Sequence, residues 1–178
     1  MKHIPQKNLR QVSFLSILIA FLFFTGCQTI SKISNLSSKK QPLTAEQYYS
    51  EGTRFLNRDN NPQKAYDAFS KAISLKPDYM KAYLERGVAA YGIMKDQEAA
   101  KDFDKWIELS KKSSDPKAGW TDKYTIFIMA ETYYTTKQIE KAKKYYKKYL
   151  DVANAAKNPT MKDFKMMGIA SSRLDSMK

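Results

Sequence analysis

Patterning along the chain predicts an all-α fold: a helix-turn-helix solenoid of about three repeats, closed by one further helix. Three observations predict it. After Thr44, apolar and small residues recur at i, i+4, i+7, the spacing that lines one face of a helix. These triplets come in pairs. Tyr48-Gly52-Phe55, Tyr83-Gly87-Ala90 and Ile126-Ala130-Tyr133 are followed by Ala65-Phe69-Ala72, Ala99-Phe103-Trp106 and Ala142-Tyr146-Tyr149. The central residue of each first triplet precedes the leading alanine of the second by 13, 12 and 12 positions, so three helix pairs share one plan. Finally, residues that start and stop helices fall between the triplets, where that plan needs them.

The chain has 178 residues, 43% hydrophobic and 28% charged, with a formal net charge of +13. This composition fits one soluble domain plus an appendage and excludes a polytopic membrane protein. The appendage is residues 1–26. Lys2, Lys7 and Arg10 precede an almost wholly apolar run, Ser13 to Phe24, and small residues then lead to Cys27, which is the order of a secretory leader. The apolar run is well short of the roughly 20 residues that span a bilayer as a helix. Phe24-Thr25-Gly26-Cys27 resembles the lipobox of bacterial lipoproteins, with Phe24 where that family usually has Leu. The resemblance implies that Cys27 carries lipid and becomes the first residue after cleavage. Cys27 is the only cysteine and so cannot form an internal disulfide. An ordinary secreted protein with a cysteine near its cleavage site is the alternative. Two acyl chains anchor a protein where one binds only marginally, so the resemblance implies membrane attachment through a lipid anchor, without a span. Gln28 stands where lipoproteins held at the inner membrane carry Asp, which implies the outer membrane, facing the periplasm.

Residues 27–43 are expected to form a lipidated tether, rich in Ser and Lys, without helical periodicity and closed by Pro42. Their lysines fall short of the run of about four that marks a lipid-binding segment. Repeat 1 is expected over residues 44–77: Thr44 and Gln47 have capping-box spacing, Asn61-Pro62 is a cap followed by a first-turn proline, and Lys76-Pro77-Asp78 ends one helix and caps the next. Repeat 2 is expected over 78–111, with Asp96 starting its second helix. Lys111 to Trp120 reads as a loop by composition. Repeat 3 is expected over 122–155, with Thr121 offering the first cap and Thr136 starting the second helix. Residues 160–177 open with Thr160-x-x-Asp163 and place Phe164, Met167, Ile169 and Leu174 in an apolar pattern, a helix that covers the end of the stack.

These residues resemble the tetratricopeptide repeat, a helix-turn-helix unit of about 34 residues. Repeat 1 matches it with Tyr48, Gly52, Phe55, Ala65, Phe69, Ala72 and Pro77, and carries one extra residue near Asp59 to Pro62. Repeat 2 matches with Tyr83, Gly87, Ala99 and Phe103 but has Trp106 where a small residue is usual, which requires wider or re-angled packing. Repeat 3 keeps Tyr133, Ala142 and Tyr146 and substitutes Ala130 for Gly and Tyr149 for Ala. Gly52 and Gly87 are expected to admit the second helix of each pair, and the aromatics to fill the core.

Chemistry-bearing constellations are sparse. His3 is the only histidine and lies in the leader, so the processed chain would have no imidazole for a catalytic triad or transition-metal site. No catalytic or metal-ligating residues and no cofactor are therefore assigned. Ser114-Asp115-Pro116-Lys117 has S-x-x-K spacing but lacks its companion motifs, and no Gly-rich phosphate loop is present. Glu98, Asp102, Asp104 and Glu108 alternate with Lys101 and Lys105 as on a solvated helix face.

Two binding surfaces compete. In tetratricopeptide proteins the first helices line a concave groove for a partner segment. Carried onto this chain, the resemblance implies a protein or peptide partner at Tyr49, Thr53, Asn57, Leu84, Val88, Tyr91, Phe127, Glu131 and Tyr134. The function so implied is an envelope scaffold, similar to lipid-anchored tetratricopeptide proteins that help assemble envelope complexes. Loss of the leader lowers the formal charge from +13 to +10. Lys143, Lys144, Lys147 and Lys148 form a basic helical face that either solubilises the domain or binds anionic lipid, lipopolysaccharide or cell-wall polymer. Export disfavours nucleic acid.

Overall fold

The computed structural model describes residues 42–115, 118–119 and 121–178. The expected leader, the lipidated Cys27 and all but the last two residues of the tether lie outside the described residues. Within them are seven helices and no strand: α1 (Ala45–Asn57), α2 (Pro62–Leu75), α3 (Met80–Gly92), α4 (Asp96–Lys112), α5 (Lys123–Thr135), α6 (Ile139–Asn154) and α7 (Met161–Ser176). Helices α1 and α2, α3 and α4, and α5 and α6 pack as pairs, and α7 lies against α6. The arrangement is an all-α tetratricopeptide-like solenoid.

Three starts follow the sequence. Thr44 and Gln47 close a capping box on α1, the Asn61 side chain accepts from the Lys64 amide with Pro62 at the first turn of α2, and Thr160 and Asp163 close a second capping box on α7. Asp96 also starts α4 as expected, although without a side-chain cap, and three other starts differ from expectation. Asp122, not Thr121, caps α5, because its carboxylate reaches the amides of Tyr124 and Thr125. Thr136 ends α5, where its hydroxyl donates to the Thr132 carbonyl, and α6 begins at Ile139. Asp78 does not cap α3 with its side chain, since Tyr79 holds the cap position. A well-packed helix tolerates an uncapped end because tertiary burial outweighs the cap.

The turn inside each pair holds one non-glycine residue in the left-handed region: Asn60 (φ 44°), Met94 (φ 60°) and Lys137 (φ 63°). Met94 and Lys137 each stand seven residues after the central small residue of their pair, whereas Asn60 stands eight after Gly52. The additional residue of repeat 1 is thus accommodated in the turn, and the pair's geometry is preserved.

Close approach in the pairs depends on Gly52 and Gly87. A Cβ at Gly52 would lie 2.5 Å from the Phe69 ring, and one at Gly87 would lie 2.6 Å from the Phe103 ring. Both rings are fully buried, as is Tyr146 in the third pair. The main core runs from Ala90 through Phe103, Trp106, Ile126, Met129, Tyr133 and Tyr149 to Ala170 of α7. Contact between α4 and α5 is narrower than that between α2 and α3. Trp106 is buried in this region at the position where a small residue is usual.

Hydrogen bonds and ion pairs tie successive units. Arg86 of α3 donates Nε–H and Nη2–H to the Asp102 carboxylate of α4 at 2.8 and 2.7 Å, and Nη1–H to Ser70 Oγ of α2 at 3.3 Å. It therefore joins repeat 1 to repeat 2. At the far end, Lys123 Nζ of α5 lies 2.7 Å from Asp163 Oδ1 of α7.

Candidate functional site

Helices α1, α3 and α5 touch one another as a row, so the first helices of the three pairs share one face. Placement on that face follows from helix periodicity: in each first helix the residues that meet the partner helix most directly lie at i, i+4, i+7, and those one position further lie about 100° round the helix, at the flank of that contact. Tyr49, Thr53, Leu84, Val88, Tyr91 and Tyr134 are all half-buried there, and Asn57 is exposed at the end of α1. Tyr49, Thr53 and Asn57 line an open depression of about 510 Å³ together with Arg54 and Arg58. Tyr49 itself stacks against Phe69 and Tyr79, with ring centroids 5.6 and 5.2 Å apart.

The structure corrects the expected groove at α5. Phe127 is only 8% exposed and meets Tyr146 and Tyr149 edge-on at 6.1 and 5.1 Å. It is core, because the bulky Tyr149 in place of alanine draws Phe127 under the third pair. Glu131 is also engaged within the fold: it accepts from the Tyr146 hydroxyl and lies 3.7 Å from Arg173 Nε of α7. The Arg173 guanidinium stacks 4.3 Å over the Tyr134 ring. The α5 end of the face is consequently a polar cluster closed by α7, and the more apolar surface lies along α1 and α3.

Two groups on this face were not legible from the sequence. Glu85 is half-buried beside Tyr49 and Asp122; burial raises its carboxyl, and the nearby Asp122 charge raises it further. No cation pairs with it among the described residues. Arg173 is the other, since its contacts with Glu131 and Tyr134 require α7 to fold back on α5. Burial raises the Tyr91 hydroxyl, with Glu131 adding to the shift. The Tyr134 hydroxyl is lowered by hydrogen bonding to Ser176 and then to Arg173. Glu85 had no periodic or motif signal; Arg173 had only its place on an amphipathic helix.

Three of the four lysines of the expected basic face border two depressions. Lys144 borders one of about 430 Å³ with Asp104, Ile107 and Tyr145. Lys143 and Lys147 border another, of about 460 Å³, with Leu150 and Leu174. Lys144, Lys147 and Lys148 are exposed, while Lys143 is half-buried and 3.5 Å from Glu140. Burial pushes the Tyr145 hydroxyl up to about 12, with Asp104 contributing, so it stays a neutral donor. Among the described residues no group of three or more His, Cys, Asp and Glu side chains is placed to hold a metal ion.

Comparison with solved structures agrees with this architecture. The first tetratricopeptide domain of human RPAP3 is similar at a TM-score of 0.54 and 16% identity, over 75% of this chain and 94% of that one. MamA is similar at 0.54 and 17%, over 80% and 77%. A T3SS complex from Aeromonas hydrophila contains a chain similar at 0.50 and 14%, over 83% and 86%. No family model and no curated protein matches the sequence.

Proposed function

We propose that this chain is a lipid-anchored scaffold of the bacterial envelope that holds a segment of a partner protein against the face formed by α1, α3 and α5. The observation that carries the reading is the set of half-buried apolar and aromatic side chains along α1 and α3: Tyr49, Leu84, Val88 and Tyr91. Aromatic side chains of this kind combine large contact area with few rotors to immobilise, and so dominate interface energetics. Support for the fold's use in assemblies comes from the similar chain in the Aeromonas hydrophila T3SS complex. Glu85, half-buried and without a cation among the described residues, favours a partner segment that brings a Lys or Arg to the apolar face. The anchor would be the acylated Cys27, with residues 28–43 as tether and the outer membrane as its site.

In-cell photo-crosslinking tests the groove, with the crosslinker at Tyr91 or Leu84 and a control at the exposed Lys148. A defined protein adduct from Tyr91 and Leu84, lost in Leu84→Asp, supports the reading; no groove adduct sinks it. Radiolabelled palmitate incorporation, abolished in Cys27→Ser together with release from the membrane fraction, tests the anchor. A second reading rests on Lys147 and Lys148, which face solvent without a carboxylate partner among the described residues. In that reading the basic face binds an anionic lipid or polymer. Adducts with lipid or polymer from Lys148 alone, weakened steeply by salt, would favour it.

A further inference from the structure

Helix α7 is built to the plan of a first helix, and no other described helix covers the face that would receive a second helix. Gly168 is the eighth residue of α7, as Gly52 is of α1 and Gly87 of α3, and Phe164 is the fourth, as are Tyr48 and Tyr83. Both α1 and α7 start with a capping box. Around Gly52 and Gly87 the missing Cβ is filled by the ring of Phe69 or Phe103, whereas a Cβ on Gly168 meets nothing within 4 Å. Phe164 is 55% exposed and Met161 84% exposed beside it.

The flank of α6 completes the opening. Lys143, Lys147 and Leu150 stand one, five and eight residues after Ala142, where α4 has Ala100, Asp104 and Ile107 after Ala99. In α4 that stripe fastens the next pair: Asp104 accepts from the Tyr133 hydroxyl at 2.9 Å and from Lys141 Nζ at 2.7 Å. Lys141 is the residue directly before the leading Ala142 of its helix. On α6 the charge is inverted, with Lys147 in the place of Asp104. Lys143 and Lys147 border the depression of about 460 Å³ that α6 shares with Ser171 and Leu174 of α7.

We propose that this end of the solenoid docks an amphipathic helix of another protein, patterned acid-Ala-x-x-x-(Phe or Tyr)-x-x-Ala. Its aromatic residue sits over Gly168 as Phe69 sits over Gly52, and its acid meets Lys147 as Lys141 meets Asp104. A folded second copy does not supply such a helix. The three helices of this pattern in the chain, α2, α4 and α6, already have Phe69, Phe103 and Tyr146 fully buried against their own partners.

The test is fluorescence anisotropy of the full chain with a labelled, hydrocarbon-stapled peptide of the Pro62–Leu75 sequence. The peptide carries Lys64→Glu and is stapled between the solvent-facing positions 63 and 67. Saturable binding is expected, weakened at least tenfold by Gly168→Ala, which leaves circular dichroism unchanged because its methyl enters open space in the free protein. Lys147→Glu should weaken this peptide several-fold and favour the version that retains Lys64. The proposal is overturned by absence of saturable binding, by equal binding to Gly168→Ala, as peptide exchange at Gly52 would give, or by indifference to Lys147→Glu. Sedimentation of the chain alone as a dimer that Gly168→Ala dissociates would assign the face to a second copy and overturn it as well.

Discussion

Gly52 and Gly168 occupy the same place in their helices and have opposite sensitivities. At Gly52 a methyl would lie 2.5 Å from the buried Phe69 ring, so Gly52→Ala is expected to cost about 1–3 kcal/mol through overpacking. At Gly168 nothing among the described residues lies within 4 Å, and the substitution acts only on helix propensity, so Gly168→Ala should gain about 1 kcal/mol. Urea denaturation of the two variants measures both signs. Met94 presents a backbone case: it is 91% exposed at φ 60°, so its side chain contributes little while its Cβ is strained. Met94→Gly should therefore stabilise the fold by about 1 kcal/mol, read from the same unfolding curves. The opposite sign would mean that the flexibility glycine adds to the unfolded chain outweighs the relief of strain.

Among the elements, α3 and α7 are held by charge as well as by packing. The Asp102 side chain is 6% exposed and held by two hydrogen bonds from Arg86. Burial raises the Asp102 carboxyl against the opposing pull of Arg86. Arg86→Ala leaves that carboxylate buried without its cation and should cost about 3 kcal/mol. The double variant Arg86→Met with Asp102→Leu should recover most of the loss, because the pair's desolvation cost disappears with it. Chemical denaturation of the single and double variants decides the point.

The attachment of α7 is pH-dependent by a worked sign. The Asp163 carboxyl is lowered below its ordinary value, first by the hydrogen bond from Lys123, then by the Thr160 amide and hydroxyl. A depressed carboxylate contributes stability that is complete above its unfolded value of 3.8 and is lost as pH falls below it toward the folded value. Amide exchange across α7 should accordingly quicken as pH is lowered through about 4 toward 2, after correction for intrinsic rates. Asp163→Asn should flatten that dependence. An unaltered acid profile in Asp163→Asn would assign the acid sensitivity to other carboxylates.

Over the whole molecule, a solenoid's stability is distributed between neighbouring units, so its thinnest interface sets where it opens. The narrower contact is between α4 and α5, and exposed Lys111 and Lys112 end α4 directly before it. Within the helical part, limited trypsin digestion should cut first after Lys112, separating α1–α4 from α5–α7. First cleavage within α2 or α6 would place the weak point elsewhere. The α7 end has its own asymmetry: its packed side completes the core with Ala170, while its opposite side leaves Phe164, Gly168 and the depression beside Lys147 open.

The sequence by itself determined the fold class, because the i, i+4, i+7 triplets and the glycine-to-alanine spacing express which faces must meet and how closely, and those are local periodicities. Capping at Thr44, Asn61 and Thr160 was legible for the same reason: a cap is read within three residues. Only the tertiary structure decided that Phe127 and Glu131 belong to the fold's interior and polar closure, because their burial depends on Tyr149, Tyr146 and Arg173, which approach from other helices. It also decided the place of Glu85, and that the lysines of α6 border an opening beside α7. Helical periodicity states which side of a helix is covered; what covers it, and whether anything does, is settled by packing between distant segments.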